Sequence, residues 1–334
     1  MRVLVHGFAE NELIIEGLEQ NVGKSNVDLF VPPLFGKNAR REYRPDDVDR
    51  YDLIVFGYGS FFDKDFGRIL GRKTGATKIY VDTVDSFFVR RIYTHPEISY
   101  YFKRELCSTM GIAEAIEWSI RFAYGDYLYT PLKLSGSVSG AGGYWHPMNL
   151  PYRIAVANGG KLRPFPLMVH TPNRRIGLGK RDIDLSFTLK LNTIADRARV
   201  FNYLHELREH YPKSSILIGR GDLEKGKYYE VLARSKSSIS VRGYGYDTWR
   251  YWEIPAFGSA LVSQRSPLII PNNFVDGESA LFFGNEEELR IKFRRYVAKS
   301  DEWMEIARNG NGLFRKHHTP QKRVRELILD QIKV

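Results

Sequence analysis

Short apolar, β-rich runs alternate with helical or polar stretches twice along this chain, and that double alternation restricts the possible folds more than any other feature. In the first half the runs are RVLVHGF, VDLFVP, YDLIVFGYGS and TKIYVDTVDS. Alternation of this kind predicts a parallel sheet covered by helices. Ligands of such sheets sit beyond the carboxyl ends of the strands, which directs attention to His6 to Phe8, Tyr58 to Ser60 and Asp82 to Asp85. Residues 96–118 read as largely helical, and SGSVSGAGG, residues 135–143, reads as a surface or lid loop.

The second alternation is clearer. DIDLSFTL, SSILIGRG, SSISVRG and SALVSQ read as strands, separated by the helices IADRARVFNYLHELREHY, DLEKGKYYEVLARS and 248–257. Helices over 286–298, 301–315 and 321–332 close the chain. The three prolines between Lys161 and Arg175 separate the two patterned regions and put a boundary near residue 170. The expected fold class is therefore α/β, with two doubly wound domains.

Size and charge limit the function classes. With 334 residues, of which 43% are hydrophobic and 27% charged, the chain has room for two cores. No apolar run approaches the ~18 residues of a membrane helix. The opening MRVLVHGFAENE turns acidic too early for a signal peptide, and Cys107 is the sole cysteine, so a reducing, cytoplasmic setting is expected. The net charge of +11 favours anionic partners: nucleotide phosphates, nucleic acid or an acidic membrane surface. No histidine cluster has zinc spacing and no Asp-x-Asp diphosphate-metal motif stands at the carboxyl end of a strand of the second half, so no metal site is expected.

Residues 238–263, SISVRGYGYDTWRYWEIPAFGSALVS, carry the chemistry. A strand is expected to end at Arg242. Gly243 and Gly245 then allow the backbone to approach a ligand closely, and Asp247 or Thr248 caps the following helix. Free N–H groups and the positive end of the helix dipole suit a diphosphate, with Arg242 as a charged donor. Glu253, one turn in and on the side of Trp249 and Arg250, is placed to accept both hydroxyls of a ribose. Pro255 should shorten or kink the helix, and Gly258 should end it. Tyr244, Tyr246 and Trp249 offer stacking surfaces. The third glycine of a dinucleotide fingerprint is missing, which sets hydride chemistry aside.

Arg242-Gly-Tyr-Gly, Thr248-Trp-Arg250-Tyr-Trp-Glu253 and Gly258 resemble the donor-site segment of GT-B glycosyltransferases with a family 1/4-type donor domain, particularly the CgeB-like and exostosin-like groups. Tyr101-Phe-Lys-Arg-Glu-Leu106, Lys180-Arg-Asp-Ile-Asp-Leu-Ser-Phe187 and the tail DEWMEIARNGNGLFRKHHTPQKRVRELI look like further motifs of the CgeB-like group. The resemblance implies two Rossmann-like domains facing across a cleft. Residues 1–170 would form the acceptor domain and 171–319 the nucleotide-sugar donor domain, with a last helix, 320–334, returning to the first. It implies metal-independent transfer of a sugar from a nucleotide-diphosphate sugar, with no further cofactor. The acceptor is left open among saccharide, lipid-linked, protein and nucleic-acid classes.

By position, Glu253 matches the family's ribose-binding glutamate. Arg242, Gly243, Tyr244, Gly245, Thr248 and Arg250 belong to the donor site, and Arg220, after the ILIG strand, is a second cation for the phosphates. Many retaining relatives carry another glutamate eight residues before the ribose-binding one, where this chain has Gly245. An inverting mechanism needs a base, for which Asp85, Asp82 and His6 are the candidates, with His95 behind them. Two rival readings remain at this level: a nucleic-acid binder or nucleic-acid-directed transferase, from the charge, and an inactive interaction protein that keeps the fold.

Overall fold

The computed structural model describes residues 1–7, 12–30, 45–57, 59–60, 63, 65–83, 89–106, 147–148, 161–172, 180–189, 195–219, 223–243, 245–266, 268–297 and 300–332. The chain divides into two compact units, Met1–Pro166 with Leu268–Ile270 and Pro320–Val334, and Leu167–Pro267 with Pro271–Thr319. No described helix is long and apolar enough to cross a membrane.

The first unit contains β1 (Val3–His6), β2 (Val27–Phe30), β3 (Leu53–Phe56), β4 (Thr77–Asp82), β5 (Val89–Arg90), β6 (Tyr100–Lys103), β7 (Pro147–Met148) and β8 (Leu162–Pro164). Six of these make a parallel sheet in the order β2-β1-β3-β4-β6-β8, while β5 and β7 pair antiparallel. The central strands read VLVH and LIVF and are buried at every position, as strands covered on both faces must be. The strand order reverses between β1 and β3. There Gly7, at φ 80°, lies so close to the following loop that a Cβ on it would stand 2.0 Å from the Ser60 amide nitrogen. The segment from Pro320 packs on the first helix, Glu12–Val22, where a Cβ at Gly17 would meet the Pro320 carbonyl at 2.6 Å.

Of the span 96–118, the described residues 96–106 depart from the expected helix. Tyr100–Lys103 is a strand, paired Ile79 to Tyr100 through Asp82 to Lys103 on β4. Tertiary pairing overrides the local pattern here: Tyr101 packs on Tyr80 and Tyr93, and buried Lys103 pairs with Asp82 at 3.3 Å. Residues 107–118 and the loop 135–143 lie outside the described residues.

The second unit carries β9 (Ile183–Thr188), β10 (Ile216–Gly219), β11 (Ser235–Ser240), β12 (Ala260–Gln264) and β13 (Leu281–Phe283), parallel throughout in the order β10-β9-β11-β12-β13. Its core gathers Leu185, Phe187, Leu204, Ile239, Val262 and Phe293. The serine-rich β11 is buried because its hydroxyls have partners. Ser237 Oγ donates to the Asp184 carbonyl at 2.6 Å, and Ser238 Oγ sits 2.7 Å from Ser186 Oγ and 3.0 Å from Ser259 Oγ. The strand order reverses between β9 and β11, so their carboxyl ends, Thr188 and Ser240, bracket the place where such a sheet receives ligands.

Candidate functional site

The strand expected to reach Arg242 stops at Ser240, because the Arg242 carbonyl leaves the ladder and accepts Arg197 Nε at 3.0 Å. The loop then closes on itself. The Gly243 amide, expected to be free, donates to the Gly245 carbonyl at 2.9 Å, and the Thr248 amide donates to the Tyr246 carbonyl at 3.0 Å. Thr248 caps the helix Trp249–Ala256, its hydroxyl accepting from the Tyr251 amide at 3.4 Å and lying 3.0 Å from Ser240 Oγ. Asp247 serves elsewhere: it is buried and accepts from Trp252 Nε1 and from the Leu167 amide, each at 2.5 Å.

The helix is eight residues long and contains Pro255. Gly258, at φ 74°, ends it: the Gly258 amide donates to the Pro255 carbonyl and the Ser259 amide to the Ile254 carbonyl, a Schellman pair. A side chain at Gly258 would also meet Arg181 Nη2 at 2.8 Å.

Beyond the helix start lies a cavity of about 370 Å³. Arg250 and Glu253 line it from this helix, and Lys225, Tyr228 and Tyr229 line it from the helix Lys225–Arg234. Thr188, at the end of β9, and His170 complete its polar lining, while Trp249 and Leu223, 49% and 42% exposed, supply apolar surface. Arg242, Gly243, Gly245 and Thr248 are not part of this lining. Arg242 instead holds its guanidinium 5.9 Å above the Tyr246 ring.

Glu253 is 9% exposed. Tyr228 donates its hydroxyl to Oε2 at 2.9 Å, and Tyr229 donates to Oε1 at 3.2 Å. Burial raises the carboxyl above its ordinary range, against the opposing pull of the Tyr228 hydroxyl, Arg250, the Tyr229 hydroxyl and Lys225. Both phenols are pushed up in turn by burial and by the Glu253 charge. Arg250 Nε donates to the Thr188 carbonyl at 3.0 Å, and its guanidinium lies 5.6 Å from the Tyr228 ring centre. Lys225 Nζ stands 5.7 Å from the Tyr229 ring centre. Neither this ammonium nor the terminal nitrogens of Arg250 has a hydrogen-bonding partner among the described residues. The arrangement offers one deep carboxylate for hydroxyl donors and two nearby cations for an anion, the pairing a nucleotide requires.

The other expected residues are placed differently. His6 is wholly buried between Ser60 Oγ and Asp63 Oδ2, each 2.9 Å from a ring nitrogen, and its ring stacks on Phe30. Burial lowers its pKa, with Asp63 opposing. Asp82 is 1% exposed and accepts the Tyr101 hydroxyl at 2.5 Å besides pairing with Lys103. His95 Nδ1 accepts the Glu97 amide at 3.2 Å. Asp85, Arg220 and Tyr244 lie outside the described residues. Among the described residues, no group of three or more His, Cys, Asp or Glu side chains is arranged to hold a metal ion.

Lys225, Tyr228 and Tyr229 are the site residues that the motif left out. Their signal is the i, i+3, i+4 spacing, which places all three on one face of the helix that follows β10.

Residues 191–329 match the family model described as Glycosyl transferase-like. Among solved structures, a trehalose-6-phosphate synthase studied with bisubstrate glycomimetics is similar at TM-score 0.56 and 10% identity, over 100% of both chains. HepE from Anabaena, in complex with UDP, is similar at TM-score 0.51 and 10% identity, over 99% of this chain and 100% of that one. The chain has the GT-B fold. TarM is similar at TM-score 0.48 and 7% identity; 82% of this chain is covered, and it spans only 53% of the TarM chain. No curated protein sequence matches. Lys225, Arg250 and Glu253, which bring charge to the cavity, all fall within the matched segment 191–329.

Proposed function

We propose that the chain is a glycosyltransferase that takes a sugar from a nucleoside diphosphate sugar held in its second unit and passes it to an acceptor. One observation carries this reading: the buried Glu253 carboxylate shares a 370 Å³ cavity with Lys225 and Arg250 at the carboxyl end of β9, within the GT-B fold. A UDP complex of HepE, a neighbour of the same fold, supports a nucleotide as the occupant. The motifs around Arg242, Tyr101 and Lys180 favour the CgeB-like and exostosin-like groups within that class.

In this reading Glu253 accepts the ribose hydroxyls, and Lys225 and Arg250 neutralise the diphosphate. Transfer leaves positive charge on the sugar and negative charge on the departing diphosphate, so fixed cations lower the barrier by stabilising the leaving group. Those two side chains perform the work a metal ion does in other transferases, which makes the proposed transfer metal-independent.

The test is a panel of UDP-, GDP-, ADP- and TDP-sugars, read by slow donor hydrolysis and by a shift in melting temperature. At least one donor should be hydrolysed and should stabilise the protein. A panel with no response would overturn the reading.

A further inference from the structure

An ionised carboxylate has about four acceptor positions, two on each oxygen. In Glu253 one position on each oxygen is already filled, Oε2 by Tyr228 and Oε1 by Tyr229. The hydroxyls are held by the packing of their rings rather than by free rotation. Tyr229 stacks on Phe257 with ring centres 4.5 Å apart, and Arg250 lies over the Tyr228 ring. The carboxylate is therefore fixed as a plane with one acceptor position open on each oxygen. That pattern matches two neighbouring hydroxyls and leaves a buried charge short of a partner when only one is offered.

We infer that Tyr228 and Tyr229 are positioning residues that clamp Glu253 for a ribose diol, and that this clamp makes the site select ribonucleoside over 2′-deoxyribonucleoside diphosphates. The inference rests on the proposed donor site. Losing one hydrogen bond to a buried charged group should weaken binding by about ten- to a hundredfold.

The experiment is calorimetric titration of ADP, GDP and UDP, each beside its 2′-deoxy counterpart, into the wild-type chain and Y228F, Y229F, Y228F/Y229F and E253Q. The wild type should bind at least one ribonucleotide about tenfold or more tightly than its deoxy form, and the ratio should fall towards one in the double variant while diphosphate binding survives. Should the double variant not fold, each single variant must show a reduced ratio. Equal ribo and deoxy affinity in the wild type, or an undiminished ratio in the folded tyrosine variants, overturns the clamp and leaves the donor site standing if E253Q has lost affinity. No binding in any pair overturns the clamp, and unchanged affinity in E253Q, or no binding in any pair together with no response to a TDP-sugar, overturns the donor site as well.

Discussion

Trp252 Nε1 donates to Asp247 Oδ1 at 2.5 Å, and the other oxygen of the same carboxylate accepts the Leu167 amide. Trp252 is fully buried and packs on Phe274 and His318 behind the helix whose front carries Arg250 and Glu253. One buried carboxylate thus ties the back of the site helix to the first residues of the second unit. Asp247→Ala removes the carboxylate that accepts from both Trp252 and Leu167 and should destabilise the protein by roughly 2–4 kcal/mol, whereas Asp247→Asn, which keeps an acceptor oxygen, should cost less. Urea denaturation followed by Trp fluorescence measures both. An alanine variant within about 0.5 kcal/mol of the wild type would show that this tie carries no stability.

Lys225 and Arg250 line the cavity, whereas Arg242 lies over Tyr246 outside its lining. Removing one phosphate cation should weaken diphosphate binding by about tenfold, so Lys225→Ala and Arg250→Ala should each show that loss, and Arg242→Ala should change affinity by less than about threefold. Titrating a nucleoside diphosphate and the bare nucleoside into each variant separates phosphate from ribose contacts. A larger effect from Arg242 than from Lys225 would move the phosphate site to the Gly243 loop.

His6 sits in the first unit with its pKa held below the ordinary 6.5 by complete burial, the Asp63 hydrogen bond only partly offsetting it. Folding then favours the neutral ring. The stability this contributes is complete above 6.5 and is lost as the pH falls from 6.5 towards the lowered value. Thermal melts between about pH 8 and pH 5 should therefore fall more steeply for the wild type than for His6→Gln, which keeps a donor and an acceptor without titrating. Parallel curves would remove His6 from the acid response.

Much of this architecture is legible in the amino-acid sequence because strands buried on both faces are written as unbroken apolar runs; LIVF, wholly buried in β3, is the clearest. The end of the site helix is legible for a related reason, since Gly258 adopts the positive φ that its place after an apolar helix implies. Tyr100–Lys103 is not legible, because its strand identity comes from pairing with β4 and from the Asp82–Lys103 ion pair, neither of which is local.

In the site, Glu253 and Arg250 follow from their place after a capped helix start. Lys225, Tyr228 and Tyr229 do not, since their helix reads as an ordinary surface helix until tertiary packing sets it over Glu253. The Gly243 loop misleads in the other direction: its amide looks free in sequence and is taken by Gly245 in the fold.

The Glu253 carboxylate is the proposed nucleotide anchor, and its pKa makes that role separable from stability. Burial raises the folded value above the ordinary 4.5, so the stability linked to its protonation is present below 4.5 and is lost as the pH rises through the raised value. At pH 7 a neutral glutamine should therefore be tolerated by the fold while failing as a diol acceptor. The decisive measurement is calorimetric titration of nucleoside diphosphates into wild type and Glu253→Gln at pH 7, with melting curves alongside. The wild type should bind, with affinity about tenfold or more weaker in the variant and a melting temperature unchanged or higher; equal affinity in the two proteins would rule out Glu253 as the anchor.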